Sequence, residues 1–222
     1  MTIKEETPMP VRIIDYKILF YAPNIIGYLR IALLCTAFYN YSSSVFFLLL
    51  YSSSVILDAV DGCVARRFNQ TSSFGAWLDV IIDNIGRGLL WVHLHPLFYI
   101  ISVVEWSAFV CNYQLGPQWQ EYLVSQKHST RRIIETPRFI SKIISNNFRN
   151  FWGAWAIAGL HVLPVWMYGM QENTFNTHLA FLPNYTDITG LVLLFIGRLI
   201  CMMAEIGTMC LHVLLLLTRN TA

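Results

Sequence analysis

The chain has 222 residues, 55% of them hydrophobic and 13% charged, with a mean hydropathy of +0.50. A soluble domain carries about 25% charged residues, so the composition excludes an ordinary water-soluble globule and indicates an all-α polytopic membrane protein. The formal charge of +2, with no arginine-rich patch, gives no sign of a nucleic-acid partner.

Met1–Pro10 carries Lys4, Glu5, Glu6 and two prolines and reads as a disordered tail. It lacks the apolar run of a cleaved leader, so the first span is expected to serve as the insertion signal. Val11–Tyr21 mixes apolar residues with Arg12, Asp15 and Lys17. It is too short and too charged to span, and is expected as an N-terminal interfacial helix or as an extension of the first span. Six apolar stretches follow, Pro23–Tyr39, Val45–Val64, Phe74–Val92, Leu97–Tyr113, Phe151–Tyr168 and Ile188–Leu217. A bilayer core takes about 20 helical residues, so the last must tilt or protrude. Aromatic residues gather at the ends of the fifth stretch, as interfacial belts do. The expected organisation is a tail and interfacial helix over 1–22, a six-helix membrane domain over 23–218 and a tail over 219–222.

Between the fourth and fifth spans, Gln114–Asn150 is polar and basic. Its segment Arg138–Ile144 has the mix of a helix lying on anionic lipid; a solvated basic loop is the alternative. The five cysteines show no metal-pair spacing and read as small packing residues. His93 and His95 stand at an expected turn at Pro96 without a third ligand nearby.

Charge orients the chain. Of the fifteen Lys and Arg, only Arg30, Arg87 and Arg198 lie within spans. With a cytoplasmic N-terminus the other twelve all fall on the cytoplasmic side, and segments 40–44, 93–96 and 169–187 hold none. That is a positive-inside distribution.

The chemistry concentrates between Asp58 and Asp83. Asp58 and Asp61 are three apart and share a helix face; Gly75, Asp79 and Asp83 form a second stripe at steps of four. The polar turn Asn69–Ser73 would bring the stripes together. Acids in hydrocarbon are expensive and tend to mark function. Four such acids repel one another unless positive charge joins them, and all-oxygen ligation suits Mg²⁺ or Mn²⁺. Arg66 offers a fixed fork for phosphate oxygens, and Gly62 and Ala65 leave room beside it. Arg87, one turn beyond Asp83, is placed to neutralise the site or to bind an acceptor. Glu105 is a candidate partner for an intramembrane arginine, and Arg198 and Glu205 are expected to pair with charges on neighbouring helices.

The pattern Asp58-x-x-Asp61-Gly62-x-x-Ala65-Arg66, eight residues, then Gly75-x-x-x-Asp79-x-x-x-Asp83 resembles the signature of the CDP-alcohol phosphotransferases. Pro23-Asn24, with Arg30 further in, is similar to a second feature of that family. The resemblance implies transfer of a phosphatidyl group from a CDP-lipid to an alcohol, with release of CMP. It implies a two-metal Mg²⁺ or Mn²⁺ site with Asp58, Asp61 and Asp79 as ligands and Asp83 completing it. Asp83 would also be the general base. Asn24, Gly62, Ala65, Arg66 and Gly75 would contact the CDP-lipid, and Arg30 is a further candidate contact or a partner for an intramembrane acid. Asn24 also reads as a helix cap.

The runs Pro23–Arg30, Ala65–Gln70 and Phe74–Ala76 look most like eukaryotic phosphatidylinositol synthases, which implies CDP-diacylglycerol and myo-inositol as substrates. Two departures stand on the acceptor side: Ile82-Asp83-Asn84 where those enzymes read Thr-Asp-Arg, and Glu105-Trp106-Ser107 where they carry Ser-Ser-His. Glycerol phosphate, serine or an amino alcohol as acceptor, a catalytically silent scaffold and an aspartate-relay transporter remain as alternatives. The resemblance also implies the endoplasmic reticulum membrane, a site facing the cytoplasm and a possible homodimer.

Overall fold

The computed structural model describes residues 14–114, 137–178, 183 and 185–217. Among them the regular structure is all helical: α1 (Ala22–Tyr39), α2 (Ser44–Arg67), α3 (Ser73–Leu94), α4 (Tyr99–Gln114), α5 (Arg138–Ile144), α6 (Phe151–Gln171), α7 (Thr174–His178) and α8 (Thr186–Leu216). Short 3₁₀ segments, Tyr16–Phe20 and Pro96–Phe98, precede α1 and α4.

Local chemistry sets the boundaries. Pro23 stands in the first turn of α1, where its missing N–H costs nothing. Arg66 and Arg67 close α2, at the end where positive charge meets the helix dipole. The chain then reverses through Asn69 at φ 53°, a left-handed conformation that asparagine tolerates. Ser72 Oγ accepts from Gly75 N at 3.0 Å and caps α3, and Asn150 Oδ1 accepts from Gly153 N at 2.9 Å and caps α6. Such caps contribute about 1 kcal/mol each.

Among the described residues, four segments are long and apolar enough to cross a membrane: Ala22–Tyr39, Ser44–Arg67, Pro96–Tyr113 and Thr186–Leu216. The protein is therefore an integral membrane protein. Large apolar side chains such as Leu49, Ile56, Ile100, Val103 and Phe195 point outward, as a lipid-facing surface requires. The other two expected spans, α3 and α6, are full-length helices in the same bundle. Asp79, Asp83 and Arg87 lower the hydropathy of α3.

Of the helix expected over 11–21, residues 11–13 lie outside the described residues. Its described part is the five-residue 3₁₀ segment Tyr16–Phe20, capped by Asp15 and tied to α1. The Tyr28 hydroxyl donates to the Leu19 carbonyl and Asn24 Nδ2 to the Ile18 carbonyl. Arg138–Ile144 is helical as expected, but its apolar side is not free for lipid. Ile143 packs among Ala156, Ile200 and Ala204, and Ile140 and Ile144 pack against Leu211.

Helix α1 packs on α2 and α3, α4 joins α3 to α8, and α6 lies along α8. The α6–α8 contact is backbone on backbone. A Cβ on Gly159 would fall onto the main chain of Gly197 and Arg198, so both glycines are needed for this approach. Ala37, Phe47, Tyr51, Leu90 and Tyr168 form a packed cluster at the bundle end away from the α2–α3 turn. The Tyr168 hydroxyl locks it by donating to the Tyr41 carbonyl at 2.6 Å. The α2–α3 turn end is thereby left for the acids.

Candidate active site

Asp58 and Asp61 lie in the last three turns of α2, and Asp79 and Asp83 in the first three of α3. The turn between the helices folds the two stripes together. Oxygens of Asp58, Asp61 and Asp79 lie within 4.8 Å of one another and could hold a metal ion.

Arg30, 1% exposed, reaches into the middle of the group from α1. Its Nη1 lies 2.8 Å from Asp58 Oδ1, 3.0 Å from Asp61 Oδ2 and 2.6 Å from Asp79 Oδ1. Its Nη2 lies 2.5 Å from Asp83 Oδ1. An Nη carries two N–H groups, so three oxygens cannot all receive one. Asp61 and Asp79 take the hydrogen bonds, and Asp58 Oδ1 is buried with a charge contact but no hydrogen bond. The donor set fits a hard divalent cation: all oxygen, surplus negative charge and an unsatisfied buried oxygen.

Beside the acids lies a cavity of about 150 Å³. Asn24, Gly62, Ala65, Arg66 and Gly75 line it together with Asp61 and Asp79, so the residues expected to meet a CDP-lipid do share one space. Gly75 is needed for the geometry. A Cβ there would sit 2.8 Å from Asn24 Oδ1, so glycine lets the start of α1 approach the start of α3. A Cβ on Gly62 would meet the Arg66 guanidinium at 3.5 Å, an ordinary contact. Arg66 Nη2 donates to Cys63 Sγ at 3.7 Å, and Arg66 forms no ion pair among the described residues, so its charge is open to an anion.

Arg87 is differently placed. Its Nη1 donates to Asp83 Oδ2 at 3.2 Å, its Nη2 to Asn84 Oδ1 at 2.7 Å and its Nε to Glu105 Oε2 at 3.0 Å. Glu105 Oε1 accepts from Arg198 Nη2 at 3.2 Å, and Arg198 Nη1 donates to Glu205 Oε2 at 2.9 Å. Glu105 and Arg198 thus pair with intramembrane charges on other helices, as expected, whereas Glu205 pairs with Arg198 on its own helix α8.

His161 of α6 was not foreseen. Its Nε2 lies 3.9 Å from Asp83 Oδ2 and its Nδ1 3.4 Å from Arg87 Nη1. Together with Tyr51 and Ser54 it lines a small recess on the far side of Asp83. The available signal was that α6 holds a single His in an otherwise uncharged helix. His93 and His95 lie elsewhere: His93 packs against Phe38 and Tyr41, and His95 caps the Pro96–Phe98 turn.

Residues 20–127 match the model of the CDP-alcohol phosphatidyltransferase family. The matched stretch contains the whole Asp58–Asp83 signature. The chain is also similar, over part of its length, to proteins named for inositol. It is 45% identical over 96 residues to CDP-diacylglycerol–inositol 3-phosphatidyltransferase 1 of Arabidopsis thaliana, covering 43% of this chain and 41% of that protein. It is 36% identical over 104 residues to the Saccharomyces cerevisiae CDP-diacylglycerol–inositol 3-phosphatidyltransferase, covering 45% and 44%, and 39% identical over 89 residues to that of Homo sapiens, covering 38% and 40%. The chain spans about two-fifths of the length of these relatives. No solved structure is matched by the chain.

Proposed function

We propose that the protein transfers the phosphatidyl group of CDP-diacylglycerol to myo-inositol, giving phosphatidylinositol and CMP. One observation carries this reading. Four carboxylates converge on a single guanidinium beside a cavity bordered by Gly62, Gly75 and the fork of Arg66. Such a site lacks cationic charge and has space for a phosphorylated ligand. The relatives' names supply the donor and the alcohol.

In this reading Asp58, Asp61 and Asp79 hold two divalent cations, Mg²⁺ or Mn²⁺, with Asp83 completing the set. When bound, the cations neutralise the pyrophosphate and stabilise charge on the departing CMP. Arg66 holds phosphate oxygens, while Asn24, Gly62, Ala65 and Gly75 shape the nucleotide side. The alcohol oxygen attacks the phosphorus that bears the diacylglycerol, the bond to the CMP oxygen breaks, and Asp83 takes the alcohol proton.

The acceptor side favours a neutral alcohol. Arg87, the arginine next to Asp83 on this side, already serves Asp83, Asn84 and Glu105. Its fork is not free for a phosphate, which supports inositol over glycerol phosphate as acceptor.

The same reading takes α1, α2, α3, α4, α6 and α8 as six spans over 23–218, with an interfacial N-terminal segment. It places the acids at the cytoplasmic face, on the side of the basic residues. The endoplasmic reticulum is the proposed membrane, and a homodimer the proposed assembly. The test is to incubate purified protein with CDP-diacylglycerol, Mg²⁺ or Mn²⁺ and a panel of labelled alcohols. Inositol should yield CMP and labelled phosphatidylinositol. Turnover with glycerol phosphate and none with inositol would overturn the acceptor assignment.

A further inference from the structure

The Arg87–Glu105–Arg198–Glu205 chain is larger than neutrality requires. Four charges, three of them buried and Glu205 partly so, alternate in sign across three helices, two of each kind. Replacing such a set with apolar side chains is often neutral or stabilising, so stability does not account for it. Its geometry offers another account. Glu105 uses both oxygens, one on each arginine. Arg87 is gripped on three edges of its planar guanidinium, by Glu105, Asn84 and Asp83, which fixes its plane as well as its position. Asp83 is gripped in turn from both sides, Oδ1 by Arg30 and Oδ2 by Arg87.

We propose that Glu105, Arg198 and Glu205 form a brace, anchored on α4 and α8, that acts through Arg87 to orient the Asp83 carboxylate toward the acceptor. Arg87 is the positioning residue, and Glu105 and Arg198 act through it. The proposal rests on the reading of Asp83 as the base. Misplacing a reacting group by about 1 Å can cost about 100-fold in rate, so the brace governs turnover more than substrate binding.

Four measurements test it on the full-length protein. Glu105→Gln keeps size but loses charge. It should lower kcat about 10- to 100-fold and leave the KM for CDP-diacylglycerol within about threefold of wild type. Arg87→Lys keeps charge but loses the fork and should fall similarly, whereas a merely neutralising role would be rescued by lysine. Where Glu105→Gln fails to fold, the double variant R198M/E205M removes the far anchor as a neutral pair. It should hold its melting temperature and still lose kcat. Unchanged kcat per folded molecule in R198M/E205M would overturn the brace.

The fourth measurement needs no turnover. Asp83 and Glu105 meet through Arg87, so the melting-temperature losses of Asp83→Asn and Glu105→Gln should not add in the double variant. Additive losses would overturn the brace. Absence of CMP release by wild type with every alcohol would overturn the activity reading instead, and the melting cycle would still decide the brace.

Discussion

Two ionic groups meet at Asp83 and are built on opposite plans. On the α1–α2 side, Asp58, Asp61, Asp79 and Asp83 surround one guanidinium, that of Arg30. On the α4–α8 side, Arg87, Glu105, Arg198 and Glu205 alternate one for one. The second group is complete by itself and has nothing to gain from a ligand. The first carries a surplus of negative charge that the protein does not cancel, although uncancelled charge in a membrane bundle costs several kcal/mol. A deficit of that kind is tolerable where a cation arrives from outside, so imbalance of charge distinguishes a binding site from a scaffold here.

The sharpest way to break this comparison is at the shared residue. Asp83→Asn keeps shape and removes the charge that would take the acceptor proton. General-base catalysis contributes about 10²- to 10⁴-fold, so CMP release should fall by that range, with CDP-diacylglycerol binding largely retained. Full activity in this variant would remove Asp83 as base. Next in size is Arg30→Met. It leaves four carboxylates without their internal counter-charge, which should destabilise the cation-free protein by about 3–5 kcal/mol. Adding Mg²⁺ or Mn²⁺ should then raise its melting temperature more than that of wild type, because the ion relieves more repulsion, and chelation should reverse the gain. Equal cation-induced shifts in both proteins would mean that Arg30 and the ions do not compete for the same oxygens.

The sequence exposed the first group far better than the second. Asp58, Asp61, Gly75, Asp79 and Asp83 repeat at three and four, and a helical period is a local property that spacing alone reveals. The turn that joins the stripes was equally clear from Asn69–Ser73. Glu105, Arg198 and Glu205 were recognisable as intramembrane charges needing partners, but which helix supplied the partner depends on packing that no period encodes. Arg30 stood out as a charge in an apolar span, yet its contact with all four acids is set by how α1 crosses α2 and α3. His161 escaped notice because a lone histidine has no spacing to betray it. The apolar side of Arg138–Ile144 was readable as amphipathic, but amphipathicity cannot tell lipid from the flank of α6 and α8.

The comparison also has a spatial half, since the acid cluster opens on the 150 Å³ cavity. Two glycines border that space for different reasons, and the same substitution separates them. In Gly75→Ala the new methyl would lie 2.8 Å from Asn24 Oδ1, closer than carbon and oxygen pack. Asn24 is 2% exposed and held by the Ile18 carbonyl, so it cannot retreat freely. Overpacking of this kind costs about 1–3 kcal/mol. It should appear as a KM for CDP-diacylglycerol raised about tenfold, because the strain falls on the cavity wall and not on Asp83. In Gly62→Ala the methyl meets the mobile end of Arg66 at 3.5 Å. That side chain can give way, so the KM should rise about threefold or less. Equal losses in the two variants would mean that the cavity tolerates a methyl on either wall alike, and that the close approach of α1 to α3 at Gly75 is not what shapes the donor side.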